Sequence, residues 1–155
     1  MKQPLLNNQF VFELEQRIQG ELSAEAMYRQ LSACMQNVGF FGAANFFLKE
    51  AEQEVKHYQK IIDYCNDLGV LPEISNTFAN IRVESLQDAF NVAYNAELNL
   101  LKEYKALAEK SIGTPELFYF VQEFVKEQVK SVGEYGDLLA RIELTKEPIL
   151  IDNEL

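Results

Sequence analysis

Apolar residues recur along this chain at steps of three and four, in four long runs separated by glycine and proline. That period is the signature of amphipathic helices. The first run carries Leu14, Ile18, Glu21, Tyr28, Ser32 and Met35 on one face. It predicts a helix from about Asn8 to Met35, capped by Asn7 or Asn8. Gly39 and Gly42, in NVGFFG, read as its break. The second run, from about Ala43 to Leu68, aligns Phe47, Ala51, Glu54, His57, Ile61, Cys65 and Leu68, and Gly69 ends it. Residues 70–85 show no clean helical period. Ser85-Leu86-Gln87-Asp88 then has the form of a capping box, with Asp in place of the usual Glu or Gln. It opens a third helix to Ile112, with Leu86, Phe90, Ala93, Glu97, Leu101, Tyr104 and Ala108 on its face. Thr114 as cap and Pro115 at the first helical position open a fourth helix to about Glu143. Its face carries Phe124, Gln128, Ser131, Tyr135, Leu138 and Ile142. After Pro148 the tail ILIDNEL has the length of one or two helical turns.

Four long amphipathic helices predict an all-α four-helix bundle. The first and third connections are short, so each joins antiparallel neighbours. The second, of about 16 residues, could stretch ~50 Å against the ~40 Å of the second helix. It is long enough to return the chain along the bundle, giving two hairpins joined by a crossover.

Composition narrows the possibilities. With 155 residues, 48% of them hydrophobic, the chain fits one globular domain, residues 1–155, with a sizeable core. A formal net charge of −10 disfavours nucleic acid or anionic membrane as partner and suits cations. Cys34 and Cys65 sit in helical apolar patterns and read as reduced core residues, not a disulfide framework. The N-terminus lacks the apolar region of a signal peptide, and no run approaches a membrane span. The expected location is the cytoplasm.

Each inward stripe is apolar except near its middle. There the four helices carry Glu21, then Glu54 with His57, then Glu97, then Gln128. His57 is the only histidine, three residues after Glu54 and on the same helical face. A carboxylate facing an apolar core is costly unless its charge is compensated. Glu21 and His57 are equidistant from Gly39, and Glu97 and Gln128 flank the Ile112-Gly113 turn equally. All five are therefore predicted at one level, with Tyr28 aimed at the same layer. Three carboxylates and one imidazole suit iron, manganese or zinc, and a carboxylate-rich bundle core suits a dinuclear centre. Glu54 would bridge two metals, Glu21 and His57 would complete one position, and Glu97 the other. Gln128 would hydrogen-bond a water or an oxygen-derived ligand. One E-x-x-H motif instead of two predicts a second metal held less tightly.

The segments GELSAEAMY, FGAANFFLKEAEQEVKH, NAELNLL and FVKEQVKSVGEYGDLL, with the tail PILIDNEL, resemble the helix patterns of ferritins over nearly the whole chain. The resemblance implies Glu21, Glu54, His57 and Glu97 as iron ligands, with Tyr28 and Gln128 in the same centre. It implies a ferroxidase that oxidises Fe(II) with O2 or H2O2. It also implies a homo-oligomeric shell of twenty-four subunits that stores ferric mineral. Ser131 stands where many bacterial ferritins carry a further glutamate for the second and third iron sites, Gln53 where a second glutamate often precedes the ligand glutamate, and Lys130 where the bacterial type commonly has an acidic residue, so a bacterial-style third iron site is not expected. The centre is thus similar to the animal heavy-chain type, while the tail resembles the bacterial one. Val55 occupies the position of the haem-ligating methionine of bacterioferritins, so no haem is expected. Glu25 is an extra carboxylate near the layer, expected to help iron enter or leave. Glu116, Gln122 and Glu123 are candidates for a three-fold channel, and Lys49 and Lys56 make the lumen face less acidic. Two other readings stand beside this one. The chain could be a structural, light-chain-like cage subunit with little ferroxidase activity, or a di-metal oxidase that forms no cage.

Overall fold

The computed structural model describes all 155 residues, Met1–Leu155. Five helices follow one another: α1 (Asn8–Val38), α2 (Phe41–Asp67), α3 (Leu86–Lys110), α4 (Pro115–Leu144) and α5 (Pro148–Asp152). There are no strands, and no helix is long and apolar enough to cross a membrane. The four long helices form the bundle. α1 packs along α2, α3 along α4, and α1 also meets α3. Side-chain pairs fix the directions. Glu13 meets Lys110, Glu21 meets Tyr104 and Tyr28 meets Glu97. The numbers rise on α1 as they fall on α3, so the two run antiparallel. His57–Glu127 and Lys60–Glu123 show the same for α2 and α4.

Local chemistry explains most helix ends. Asn7 caps α1 by accepting from the Phe10 amide at 2.9 Å, and Ser85 caps α3 by accepting from the Asp88 amide at 3.0 Å. Gly39 (φ 93°) and Gly69 (φ 71°) turn the chain left-handed after α1 and α2. In each case the next residue closes back on the helix at 2.9 Å, Phe40 on Met35 and Val70 on Cys65. Thr114, predicted as a cap, makes no side-chain cap bond; Pro115 starts α4 and has no amide to satisfy.

Gly42 is not a helix breaker. It lies in the first turn of α2, where a Cβ would run into the carbonyl oxygen of Asp152. Here α5 folds back on the start of α2. Asp152 accepts from the Ala43 amide at 2.6 Å and from the Gly42 amide at 3.1 Å. The preceding Phe40 offers no side-chain cap, so a carboxylate distant in sequence fills that role.

The crossover between α2 and α3 lies along α1. The Glu73 amide reaches Glu15 at 2.9 Å, Thr77 meets Ser23 at 3.2 Å, and Cys34 reaches the Ile81 carbonyl at 3.7 Å. Contact points rise together on both segments, so the crossover runs parallel to α1. It carries the chain back as its length allows.

The stripes hold with local slips. Leu100 and Leu139 are buried, while Leu101 and Leu138 are only half-buried. Steps of three and four both satisfy a 3.6-residue turn, so the pattern cannot choose between adjacent leucines. Both cysteines are free, and burial pushes the Cys65 thiol up to about 11, keeping it protonated.

Candidate metal centre

Three donors come together in the middle of the bundle. Ligand atoms of Glu21, Glu54 and His57 all lie within 4.8 Å of one another. His57 Nδ1 is 3.3 Å from Glu54 Oε2 and 3.6 Å from Glu21 Oε2. Glu21 and Glu54 are almost wholly buried, at 1% and 3% exposure, whereas the His57 side chain keeps 27%. Its Nε2 faces the exposed Glu127 at 3.7 Å. The cluster therefore meets solvent at the His57–Glu127 edge between α2 and α4.

Glu97 does not join this trio. It is buried on α3, where one carboxylate oxygen accepts from Tyr28 and the other from the Gln128 amide nitrogen. The same amide donates to the Glu97 backbone carbonyl at 3.0 Å. Glu97 nevertheless lies near enough for the Glu21 charge to raise it. Glu21 pairs with Tyr104, and Glu97 with Tyr28, across antiparallel helices.

Electrostatics follow from burial and proximity. Burial disfavours the Glu21 anion, but the neighbouring Glu54 and His57, with the Tyr104 hydroxyl, outweigh it and leave its carboxyl below the ordinary value. Burial pushes Glu54 well above the ordinary value, and the adjacent Glu21 adds to the rise. Burial opposes the His57 cation, yet the two carboxyl groups raise it to about 10. At neutral pH the cation-free cluster therefore holds His57 as an imidazolium beside two acids pushed apart, Glu21 down and Glu54 up. Burial raises Glu97 to about 7, with Tyr28 and Gln128 holding it back. Burial also keeps the Tyr28 and Tyr104 phenols protonated, and hence able to donate.

This donor set fits a divalent cation. Glu21 Oε2 is buried without a hydrogen-bond partner, and oxygen with imidazole nitrogen suits iron, manganese or zinc. A cation would displace the proton of His57. Binding at neutral pH is expected to release at least about one proton per cation at this position, and affinity should rise with pH. Calorimetry in two buffers of different ionisation enthalpy measures the count; release near zero would contradict the assigned protonation. The same shift has a stability consequence. The folded pKa of His57, about 10, exceeds its ordinary 6.5. Its stabilisation is complete below 6.5 and is lost as pH rises through 10. The cation-free protein should melt progressively lower between pH 7 and pH 10, where a flat profile would count against the His57 assignment.

Several neighbours were not singled out by sequence. Glu50, one turn before Glu54 on α2, is raised by burial, and the Tyr135 hydroxyl faces it without closing a hydrogen bond. Tyr135 stacks on Tyr28 with ring centres 6.1 Å apart. Arg17 is buried at 8% exposure and lies over the Tyr104 ring at 5.7 Å. One signal was available: Tyr28 follows Glu21 by seven residues, and Tyr104 follows Glu97 by the same seven. Glu25 stands outside the trio, held by Arg29 at 3.0 Å and Tyr58 at 3.3 Å.

A helical bundle with a buried carboxylate–imidazole cluster at its centre defines the class of carboxylate-bundle proteins. Within that class the chain belongs to the ferritin family: residues 12–145 match the family model of the ferritin-like domain. It is 28% identical over 144 residues to a bacterial non-heme ferritin of Escherichia coli, covering 90% of this chain and 87% of that one. It is 27% identical over 158 residues to a probable bacterial non-heme ferritin-like protein of Haemophilus influenzae, with 97% and 96% coverage. Its fold superposes on an open pore ferritin of Archaeoglobus fulgidus with TM-score 0.91 at 21% identity, covering 96% and 95%. A ferritin of M. penetrans superposes with TM-score 0.88 at 18% identity, covering 96% and 94%.

Proposed function

We propose that this chain is an iron-storage ferroxidase. The observation that carries the reading is the trio of Glu21, Glu54 and His57, gathered within 4.8 Å, with Glu97 also buried, on α3. The first Fe2+ binds Glu21, Glu54 and His57. Glu54 bridges to a second Fe2+, which Glu97 holds with fewer protein donors. Tyr28 and the Gln128 amide orient Glu97, as their hydrogen bonds to it suggest. Two Fe2+ supply the two electrons that, with two protons, reduce O2 to H2O2; with H2O2 as oxidant the same electrons yield water. The His57–Glu127 edge offers iron a way in. Family membership and the bacterial non-heme ferritin relatives support storage of the ferric product as mineral in a hollow homo-oligomeric shell, of twenty-four subunits in this reading. The centre is of the animal heavy-chain type, built within one subunit of a single domain, residues 1–155, and the location is the cytoplasm.

Size-exclusion chromatography after aerobic loading with excess Fe2+ tests this directly. Protein and ferric absorbance should co-elute as one very large particle. A large particle without iron would identify a structural cage subunit instead. A small particle that still oxidises iron would leave a di-metal oxidase without storage.

A further inference from the structure

Glu21 and Glu97 are held in the same way from opposite sides. Tyr28 of α1 donates to Glu97 of α3, and Tyr104 of α3 donates to Glu21 of α1. The two helices carry the same Glu-to-Tyr spacing of seven and run antiparallel, so each tyrosine meets the other helix's acid. Tyr104 is firmly seated. It is 2% exposed, stacks on Phe124 at 5.0 Å and 15°, and lies under Arg17, which is itself paired with Glu103. Its hydroxyl occupies Glu21 Oε1. Glu21 Oε2 is left buried, without a hydrogen-bond partner, and facing His57 at 3.6 Å.

We propose that Tyr104 is a positioning residue of the first metal position: its phenol occupies one oxygen of Glu21, so that Glu21 meets the cation through the other oxygen alone. This rests on the reading of Glu21, Glu54 and His57 as ligands. A carboxylate with both oxygens free can chelate one ion or swing away. With one oxygen tied, it presents a single donor in a fixed direction, and the ion keeps an open coordination position. Tyr28 serves Glu97 in the same sense, so the two phenols should act on different positions.

Co2+ is the probe, followed by calorimetry and by its visible bands, which report coordination number. The wild-type protein should bind Co2+ in a tighter and a weaker step. Tyr104→Phe keeps the ring and removes only the hydroxyl. It should weaken the tighter step by about tenfold, the usual effect of losing a ligand's supporting partner. It should also alter the Co2+ bands of that step and leave the weaker step in place. Tyr28→Phe should weaken the weaker step instead. In a Glu21→Ala background, Tyr104→Phe should have no further effect on Co2+ binding. An unchanged tighter step in folded Tyr104→Phe, or an equal loss in both steps, would overturn the proposal while leaving the ligand reading intact. An undiminished effect of Tyr104→Phe in the Glu21→Ala background would overturn it too. Failure of the wild-type protein to bind Co2+ would overturn the ligand reading, and this proposal with it.

Discussion

Replacing Glu54 or His57 by alanine is expected to slow Fe2+ oxidation by more than about 100-fold, beyond the 10–100-fold typical of losing a residue that only supports a ligand. Stopped-flow absorbance of the ferric product, at a fixed iron-to-subunit ratio, measures it. Glu54 is the acid that reaches both Glu21 and His57, and as the bridge it would serve both irons. His57 is the only imidazole in the chain, so no neighbour can replace it. Unfolding would not explain the loss. Burial and the adjacent Glu21 push the Glu54 carboxyl well above its ordinary value, so its charged form opposes folding when no cation is present. Glu54→Gln keeps the volume and removes the acid, so its cation-free melting temperature should hold or rise while oxidation is still lost. Glu52→Ala, on the exposed face of the same helix, should oxidise iron at the wild-type rate. Rates within twofold of wild type in both Glu54→Ala and His57→Ala would remove the ferroxidase reading and favour the structural cage subunit.

Gly42→Ala should be the most destabilising single methyl addition in the chain's first turn of α2. The added Cβ has nowhere to go, because the obstacle is the Asp152 backbone and not the tip of a flexible side chain. Overpacking of this kind costs about 1–3 kcal/mol. If α5 is pushed away, the Gly42 and Ala43 amides also lose Asp152 as their cap, a further loss of about 1 kcal/mol. Asp152→Ala should show the cap contribution alone. Gly133, on the exposed face of α4, is the contrast: a Cβ there meets nothing within 4 Å. Gly133→Ala should stabilise by roughly 0.5–1 kcal/mol. Urea unfolding of the cation-free protein compares the three. A Gly42→Ala midpoint equal to wild type would mean that α5 does not seat on α2.

Glu21, Glu54 and Glu97 share one exposure to error in the sequence and one strength. Each breaks an otherwise apolar stripe, and a charged side chain on a core-facing position needs a reason. That made all three legible, together with His57 at helical spacing. The helices were legible too, because apolar period, capping residues and glycine stops act within a few residues of one another. Asn7, Ser85, Gly39 and Gly69 do as their local chemistry requires. Gly42 was misread because its reason is not local: it makes room for Asp152, far along the chain.

The sequence by itself thus determined the elements, the two-hairpin connectivity, the core-facing acids and the resemblance that family membership confirms. These depend on residue type and on spacing within one helix. Only the tertiary structure decided that Glu21, Glu54 and His57 gather within 4.8 Å and that Glu21 and Glu97 each receive a tyrosine from the facing helix. It also decided the seating of α5 on α2 and the turning of Glu25 toward Arg29 and Tyr58. Axial register between packed helices is set by how side chains interdigitate, and no spacing within one helix records its position against another.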